Sequence, residues 1–458
     1  MTMVAAPTRM ALVYRDSRGL AAAVLAIVIL APLPLGGNRP ILWAIWACAA
    51  GVAATIYALH LIVSGSDLAV PLRRFAVLAG AFGALCLYLL VQSLPIADIL
   101  GLGRIEARGV SLASPTISLT PGLTQLMFIR WLGYGLIFFL AAQVGANRSR
   151  AVIVLRVLYL AIVAYAVLGI AFLGFFGDTL LGLEKWAYQG VATATFVNRN
   201  SYATYLAFGF AIGAALLAGA LVSSEARTSR GTIALFLTGQ GLLLAALLLS
   251  GSRMGLLAAI VAGIVILVLS LYGTRRAPRV LPLLLVAAIA GLAILLLFGG
   301  RTVERLNGLD SDVEDRFELY RQVWGMISSR PLTGYGGGSF EQAFQLFHAP
   351  PLSTDVVWDK AHSSYLTLAA ELGLPVAAII VIFIAAAGFG AAFLLRDPAA
   401  GRRVPLAVAG VVVVAALHSL VDFSLEIQAN AYLLAAVLGL GFGYRQSAGR
   451  RGEADGAS

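Results

Sequence analysis

Roughly a dozen times along its 458 residues, this chain runs for about 20 residues with almost no charge. A helix of about that length crosses a hydrocarbon core, and each backbone group left unsatisfied in lipid costs several kcal/mol. Runs of this kind therefore commit the chain to membrane-spanning helices. Composition agrees: 60% of the residues are hydrophobic, only 12% are charged, and the mean hydropathy is +0.91, which excludes an ordinary soluble protein. The spans are predicted at 19–36, 40–63, 75–94, 123–144, 151–176, 202–222, 231–250, 254–272, 280–299, 363–395, 404–421 and 429–444. The expected fold is an all-α polytopic membrane protein with about 12 transmembrane helices.

Arg9, Arg15 and Arg18 precede the first run as in a secretory leader, but "LAPLPLGGNRP" offers no small-residue cleavage site, so this run reads as a retained helix. With the N-terminus inside, Lys and Arg on the inner segments outnumber those on the short outer loops (Arg39, Arg104, Arg108, Lys185, Arg199 and Arg253) by about three to one. The net charge of +10 is then mainly a topology signal, and nucleic-acid binding is not expected. An even number of spans puts both termini in the cytoplasm. Cys48 and Cys86 lie inside predicted helices without metal-ligand spacing and read as apolar packing residues. Residues 445–458 form a polar tail expected to be disordered.

The domain plan is thus helices one to nine over 1–299, a large outer loop over 300–362, helices ten to twelve over 363–444, and the tail. Within the loop, Ser311 and Glu314 have the spacing of a capping box. They precede Phe317, Tyr320, Val323, Trp324 and Ile327 at helical intervals, and Pro331 ends that segment. Such a helix can lie on the membrane or lid a cavity. "GYGGGSF", 334–340, lacks the phosphate-loop pattern and reads as a tight turn. Asp310 and Asp312 read as capping or solvated loop residues; no metal site is expected.

Arg199 at the outer start of the sixth span, Arg253 before the eighth, Arg316 in the loop helix and His362 at the start of the tenth all fall on one side of the membrane. An arginine at bilayer depth costs roughly 2.5–3.5 kcal/mol on insertion scales unless it meets a partner or water. Three of them beside a histidine point to an anionic ligand, because the planar guanidinium grips phosphate through two parallel hydrogen bonds. His362 stands just before Ser363 and Ser364 at a helix start, where the dipole disfavours protonation and leaves a neutral base. His418, Asp422 and Glu426 surround the last outer turn; the acids either cap the final helix and pair with the arginines, or orient His362 and bind hydroxyls. Glu371, roughly 13 Å along the helix from His362, receives no role.

The pieces "FVNRNSYATYL", "SGSRMGLLA", "DRFELYRQVWGMISSRPLTGYGGGSF", "AHSSYLTLAAELGLP" and "HSLVDFSLEIQANAYLLA" occur in that order between about residues 190 and 437. There the chain resembles the O-antigen ligase and polysaccharide polymerase superfamily of bacterial membrane glycosyltransferases. The resemblance implies a GT-C-like fold with the large loop in the periplasm, in the bacterial inner membrane. It implies transfer of a glycan from undecaprenyl pyrophosphate to a glycan or lipid-linked acceptor at the periplasmic face, with no cofactor and no metal. Arg253 and Arg316 then match the family's pyrophosphate-binding arginines, His362 its proposed base, and Arg199 an N-R-N variant of the pattern. Asn198, Asn200, His418 and Asp422 are expected to bind or orient the acceptor, and Ser201 and Ser363 stand where related chains often carry His and Asn. A flippase and a chain-length regulator are the protein partners implied. The preferred reading is a polymerase of exopolysaccharide or O-antigen repeat units, with a ligase to lipid A core, or to a protein, as the alternative. A multispan transporter ranks below both, because the candidate charges gather at one face rather than at mid-membrane.

Overall fold

The computed structural model describes residues 9–222, 229–271, 306–397 and 400–455. These residues are mainly helical. In chain order the helices are α1 (Arg9–Leu30), α2 (Pro40–Ser64), α3 (Ala76–Ser93), α4 (Pro121–Gly145), α5 (Arg148–Gly174), α6 (Arg199–Val222), α7 (Arg230–Ser250) and α8 (Arg253–Leu271). They continue with α9 (Leu306–Ser329), α10 (Phe340–Gln345), α11 (Ser364–Leu372), α12 (Leu374–Leu394), α13 (Arg403–His418) and α14 (Gln428–Asp455). Two short antiparallel hairpins join them: β1 (Arg104–Ala107) with β2 (Val110–Ala113), and β3 (Thr179–Leu180) with β4 (Leu183–Glu184). Helix ends follow local chemistry. Pro40 and Pro121 open α2 and α4, where a missing N–H costs nothing, and the side chains of Asn147 and Ser229 cap α5 and α7.

Eight helices among the described residues are long and apolar enough to cross a membrane, and α13 is a shorter apolar helix. The predicted span at 280–299 lies outside the described residues. Burial separates centre from periphery: the apolar window of α6 is 67% buried and that of α12 only 11%. On the outlying helices Ile56, Ile62, Val77, Ile382 and Phe389 are exposed, as side chains facing lipid must be. In the interior, Gly439 and Gly443 of α14 lie directly on the backbone of Phe138 and Ala142 in α4, an approach that small residues permit.

The bundle has two distinct ends. At one, Arg403 packs against Gly219, and the phenol of Tyr444 donates to Ala400 O. At the other, the start of α6 meets those of α8 and α14, and the start of α11 meets the turn after α13. Here α9, α10 and α11 form a second small core with Ile105, Leu319, Val323, Met326, Tyr335 and Phe344. Arg330 ties this core to the first hairpin by donating to Leu102 O and Arg104 O.

Several expectations are corrected. Helix α9 is already running at Leu306, so Ser311 falls inside it and the Ser311–Glu314 spacing is no N-terminal box; Leu306, Leu309 and Val313 extend the same three-and-four apolar spacing upstream. The single stripe expected on α9 divides: Val323 and Ile327 are buried, whereas Phe317 and Trp324 are exposed. The span predicted at 363–395 breaks at Gly373, whose φ of +78° interrupts the helix, so α11 belongs to the loop core and α12 alone is the span. Residues 445–455, expected as a disordered tail, continue α14. Cys86 is buried as expected, but Cys48 is exposed on α2.

Gly373 also explains how α11 sits. A Cβ at this position would collide with the Leu332 carbonyl, and its backbone is left-handed. Gly373→Ala is expected to cost about 1–3 kcal/mol from backbone strain alone, before the collision is added. Thermal unfolding of purified protein checks this, with Gly325→Ala as control: Gly325 lies within α9 with open space around it. Equal melting temperatures for the two variants would refute the account.

Candidate functional site

Asn198 starts the site. Its side-chain carbonyl accepts from the Asn200 and Ser201 amides at 2.7 and 3.2 Å, which fixes the first turn of α6, while its amide donates to the Tyr188 hydroxyl at 3.0 Å. Arg199, the first residue of α6, is thereby turned so that its guanidinium lies 5.6 Å over the Tyr188 ring. Its Nε is buried without a hydrogen-bond partner. Gly251, in the turn before α8, backs onto the same guanidinium: a Cβ there would stand 3.6 Å from Nη1. Arg253 follows two residues later, exposed at the start of α8.

The last turn of the bundle faces this arginine. Asn200 donates to the Asp422 carboxylate at 3.2 Å, and the Ser424 hydroxyl donates to its other oxygen. His418 Nδ1 lies 3.8 Å from that carboxylate. Asp422 is 1% exposed. Burial pushes its carboxyl up to about 6, against the pull of its hydrogen bonds and of Arg316. Arg316 reaches over from α9 and donates to Val421 O at 3.4 Å; its guanidinium is exposed.

His362 stands immediately before α11. Ser363 caps that helix by accepting from the Leu366 amide, and its own hydroxyl donates to Ser419 O at 3.1 Å. The Ser364 amide and hydroxyl both reach Asp422 O at 3.1 Å. His362 itself is left-handed, φ +50°, a conformation that a residue with a Cβ holds only when its surroundings impose it. Tyr320 of α9 helps impose it by donating to His362 O at 2.9 Å. The imidazole packs edge-on against Phe423 at 5.5 Å, and its Nδ1 is buried without a partner. Burial first, and the Arg316 charge second, hold it below the ordinary 6.5, so the ring is neutral at pH 7.

The structure therefore gathers Asn198, Arg199, Asn200, Arg316, His362, His418 and Asp422 around one end of the bundle. Arg253 shares that end but lies exposed on its rim. Tyr188, Tyr320 and Lys360 went unrecognised. Tyr188 and Tyr320 carry no signal beyond their type, but Lys360 stands two residues before His362 and was open to notice. The side chains of Asp310 and Asp312 lie outside the description, and no group of three potential metal ligands occurs among the described residues. Glu371, unassigned from sequence, accepts from the Phe340 amide at 3.3 Å, and burial raises it to about 7. A crevice of about 510 Å³ between α1 and α2, lined by Ala23, Ala49, Ile56 and His60, is almost wholly apolar and touches none of these residues.

Residues 239–381 match the family model described as O-Antigen ligase. The match takes in Arg253, Arg316 and His362, while Arg199, His418 and Asp422 lie outside it. No curated protein matches the chain. Over that stretch, set among helices able to cross a membrane, the chain is similar to O-antigen ligases.

Proposed function

We propose that this protein is a membrane glycosyltransferase that moves a glycan from undecaprenyl pyrophosphate to an acceptor sugar at the periplasmic face of the bacterial inner membrane. The observation that carries the reading is the meeting of Arg199 and Arg316 with a neutral His362 at one end of the bundle, two of the three within an O-antigen ligase domain. Arg199 and Arg316, with Arg253 at the rim, hold the pyrophosphate; three fixed guanidinium charges supply what a divalent cation supplies elsewhere. His362 takes the proton of the acceptor hydroxyl as its oxygen attacks the anomeric carbon. The bond from that carbon to the pyrophosphate breaks, and its electron pair leaves on the phosphate oxygen, with inversion. Asn200 and Asp422 bind or orient the acceptor.

Polymerisation of repeat units is the preferred form of this reaction, since the segment 416–436 resembles chains of exopolysaccharide systems. The description of the matching domain favours the ligase, which uses the same donor and a different acceptor. Purified protein given lipid-linked donor separates them: a ladder of growing lipid-linked chains means polymerase, and product only on added lipid A core means ligase. Chelator is expected to leave either rate unchanged, and transfer abolished by EDTA and restored by a divalent cation would overturn the metal-free site.

The same reading sets the topology. In a background lacking Cys48 and Cys86, Thr354→Cys in the exposed loop is expected to react with a membrane-impermeant maleimide in intact cells with a permeabilised outer membrane. Asp67→Cys, at the opposite end, is expected to react only after lysis. The reverse pattern would turn the protein over and place the site in the cytoplasm.

A further inference from the structure

Beside His362 stands a carboxylate with no part in the mechanism above. Glu426 lies in the 3-10 turn Ser424–Glu426 that leads into α14. Its Oε2 lies 3.1 Å from Lys360 Nζ, and its backbone carbonyl accepts from the guanidinium of Arg130, which stacks 4.5 Å over Trp43 inside the bundle. Lys360 is two residues before His362, so one ion pair ties the His362 strand to the turn. Phe423 organises all three: the Lys360 ammonium lies 6.0 Å from its ring, the His362 imidazole packs on it edge-on at 5.5 Å, and Glu426 follows three residues later.

Against this double anchoring, Glu426 Oε1 is buried and accepts no hydrogen bond. A carboxylate oxygen without a donor is costly to bury, and a site that leaves one bare beside a base is shaped for an incoming O–H. Simple pairing with Lys360 accounts for one oxygen only. We infer that Glu426 is an acceptor-binding residue, whose Oε1 receives a hydrogen bond from a sugar hydroxyl adjacent to the one that His362 deprotonates. This rests on the glycosyl-transfer reading and adds to it which group grips the acceptor. Lys360 and Arg130 act through Glu426 as positioning residues.

The test uses full-length protein in nanodiscs. The donor is lipid-linked glycan extracted from a strain lacking the gene, and the acceptor probe is the free repeat-unit oligosaccharide released from that lipid by mild acid. Glu426→Gln is expected to raise the KM for the oligosaccharide by about 3- to 10-fold, because the amide oxygen still accepts but without the charge that roughly doubles the bond's strength, with the KM for the donor unchanged. The swap Glu426→Lys with Lys360→Glu restores an ion pair and with it the melting temperature, but leaves the acceptor KM high. An unchanged acceptor KM in Glu426→Gln, or its recovery in the swap, overturns the inference and reduces Glu426 to a structural latch. His362→Ala is measured alongside: wild-type transfer by that variant removes the base and leaves the Glu426 comparison standing by itself.

Discussion

His362→Ala is expected to bind the lipid-linked donor as the unaltered protein does and to transfer its glycan about 10²- to 10⁴-fold more slowly, the usual cost of losing a general base. Donor binding survives because Arg199 and Arg316 are held by α6 and α9 and not by the imidazole. The strand survives too, since Tyr320 and Ser364 hold the backbone around position 362 through main-chain atoms. Alanine remains strained at φ +50°, so His362→Asn, which tolerates that backbone better, serves as the fold-preserving companion. Rates from single turnovers, with binding measured separately, check the split. Unchanged transfer by both variants would dismiss the histidine and send the search for a base to Asp422.

The pH profile sharpens this expectation. A base works in its neutral form, and burial together with the Arg316 charge depresses the imidazole below 6.5, while Asp359 and Glu426 pull it upward. Transfer is therefore full at neutral pH and falls only as pH drops through a value under 6.5. Arg316→Ala removes one cause of the depression, so its residual activity is expected to fail at a higher pH than that of the unaltered protein. Asp422, at about 6, titrates in the same range, and the acid limb is accordingly read in Asp422→Asn as well. A limb lost in Asp422→Asn would belong to the carboxylate.

The helical bundle was legible because lipid imposes one rule, about 20 apolar residues per span, and α2, α4, α5 and α7 end within a few residues of where that rule puts them. It failed where packing overrode hydropathy. The run from 363 is apolar enough to read as one helix, yet Gly373 must lie against the Leu332 carbonyl, and the helix breaks there to let α11 join the loop core. The site divides in the same way. Arg199 and His362 at helix starts and Arg316 in the loop helix were visible as ionisable groups beside apolar runs, which is a property of single positions. Tyr188 beneath Arg199, Tyr320 beneath His362 and Lys360 against Glu426 are relations between distant segments, joined only when α6, α9 and the last turn fold together. Nothing in the one-dimensional pattern distinguishes Tyr188 and Tyr320 from other outer-loop residues, whereas Lys360 is close to His362 in sequence.

Arg316→Ala is the second large effect. Arg316 is exposed and makes one long hydrogen bond among the described residues, to Val421 O at 3.4 Å, so truncation leaves the packing of α9 intact; the buried Leu319, Val323 and Met326, further along the helix, hold it. The variant is expected to reach the membrane with an unchanged melting temperature. Its role in the proposed reaction is different from that of the base. Charge grows on the pyrophosphate as the glycosidic bond breaks, and a guanidinium aimed there stabilises the transition state more than the ground state. Removing one such donor typically costs about 10²- to 10³-fold in rate. Lysine at 316 restores only part of this, because an ammonium is a point charge and cannot offer two parallel donors to one phosphate. Arg199→Ala is expected to be similar in rate but less clean, since it also uncovers the Tyr188 ring. If the two arginines grip one pyrophosphate, the double variant falls well short of the product of the single losses, as residues acting as a unit do. Full multiplication of the two effects would mean separate sites, and an active Arg316→Ala would leave the donor to Arg199 and Arg253.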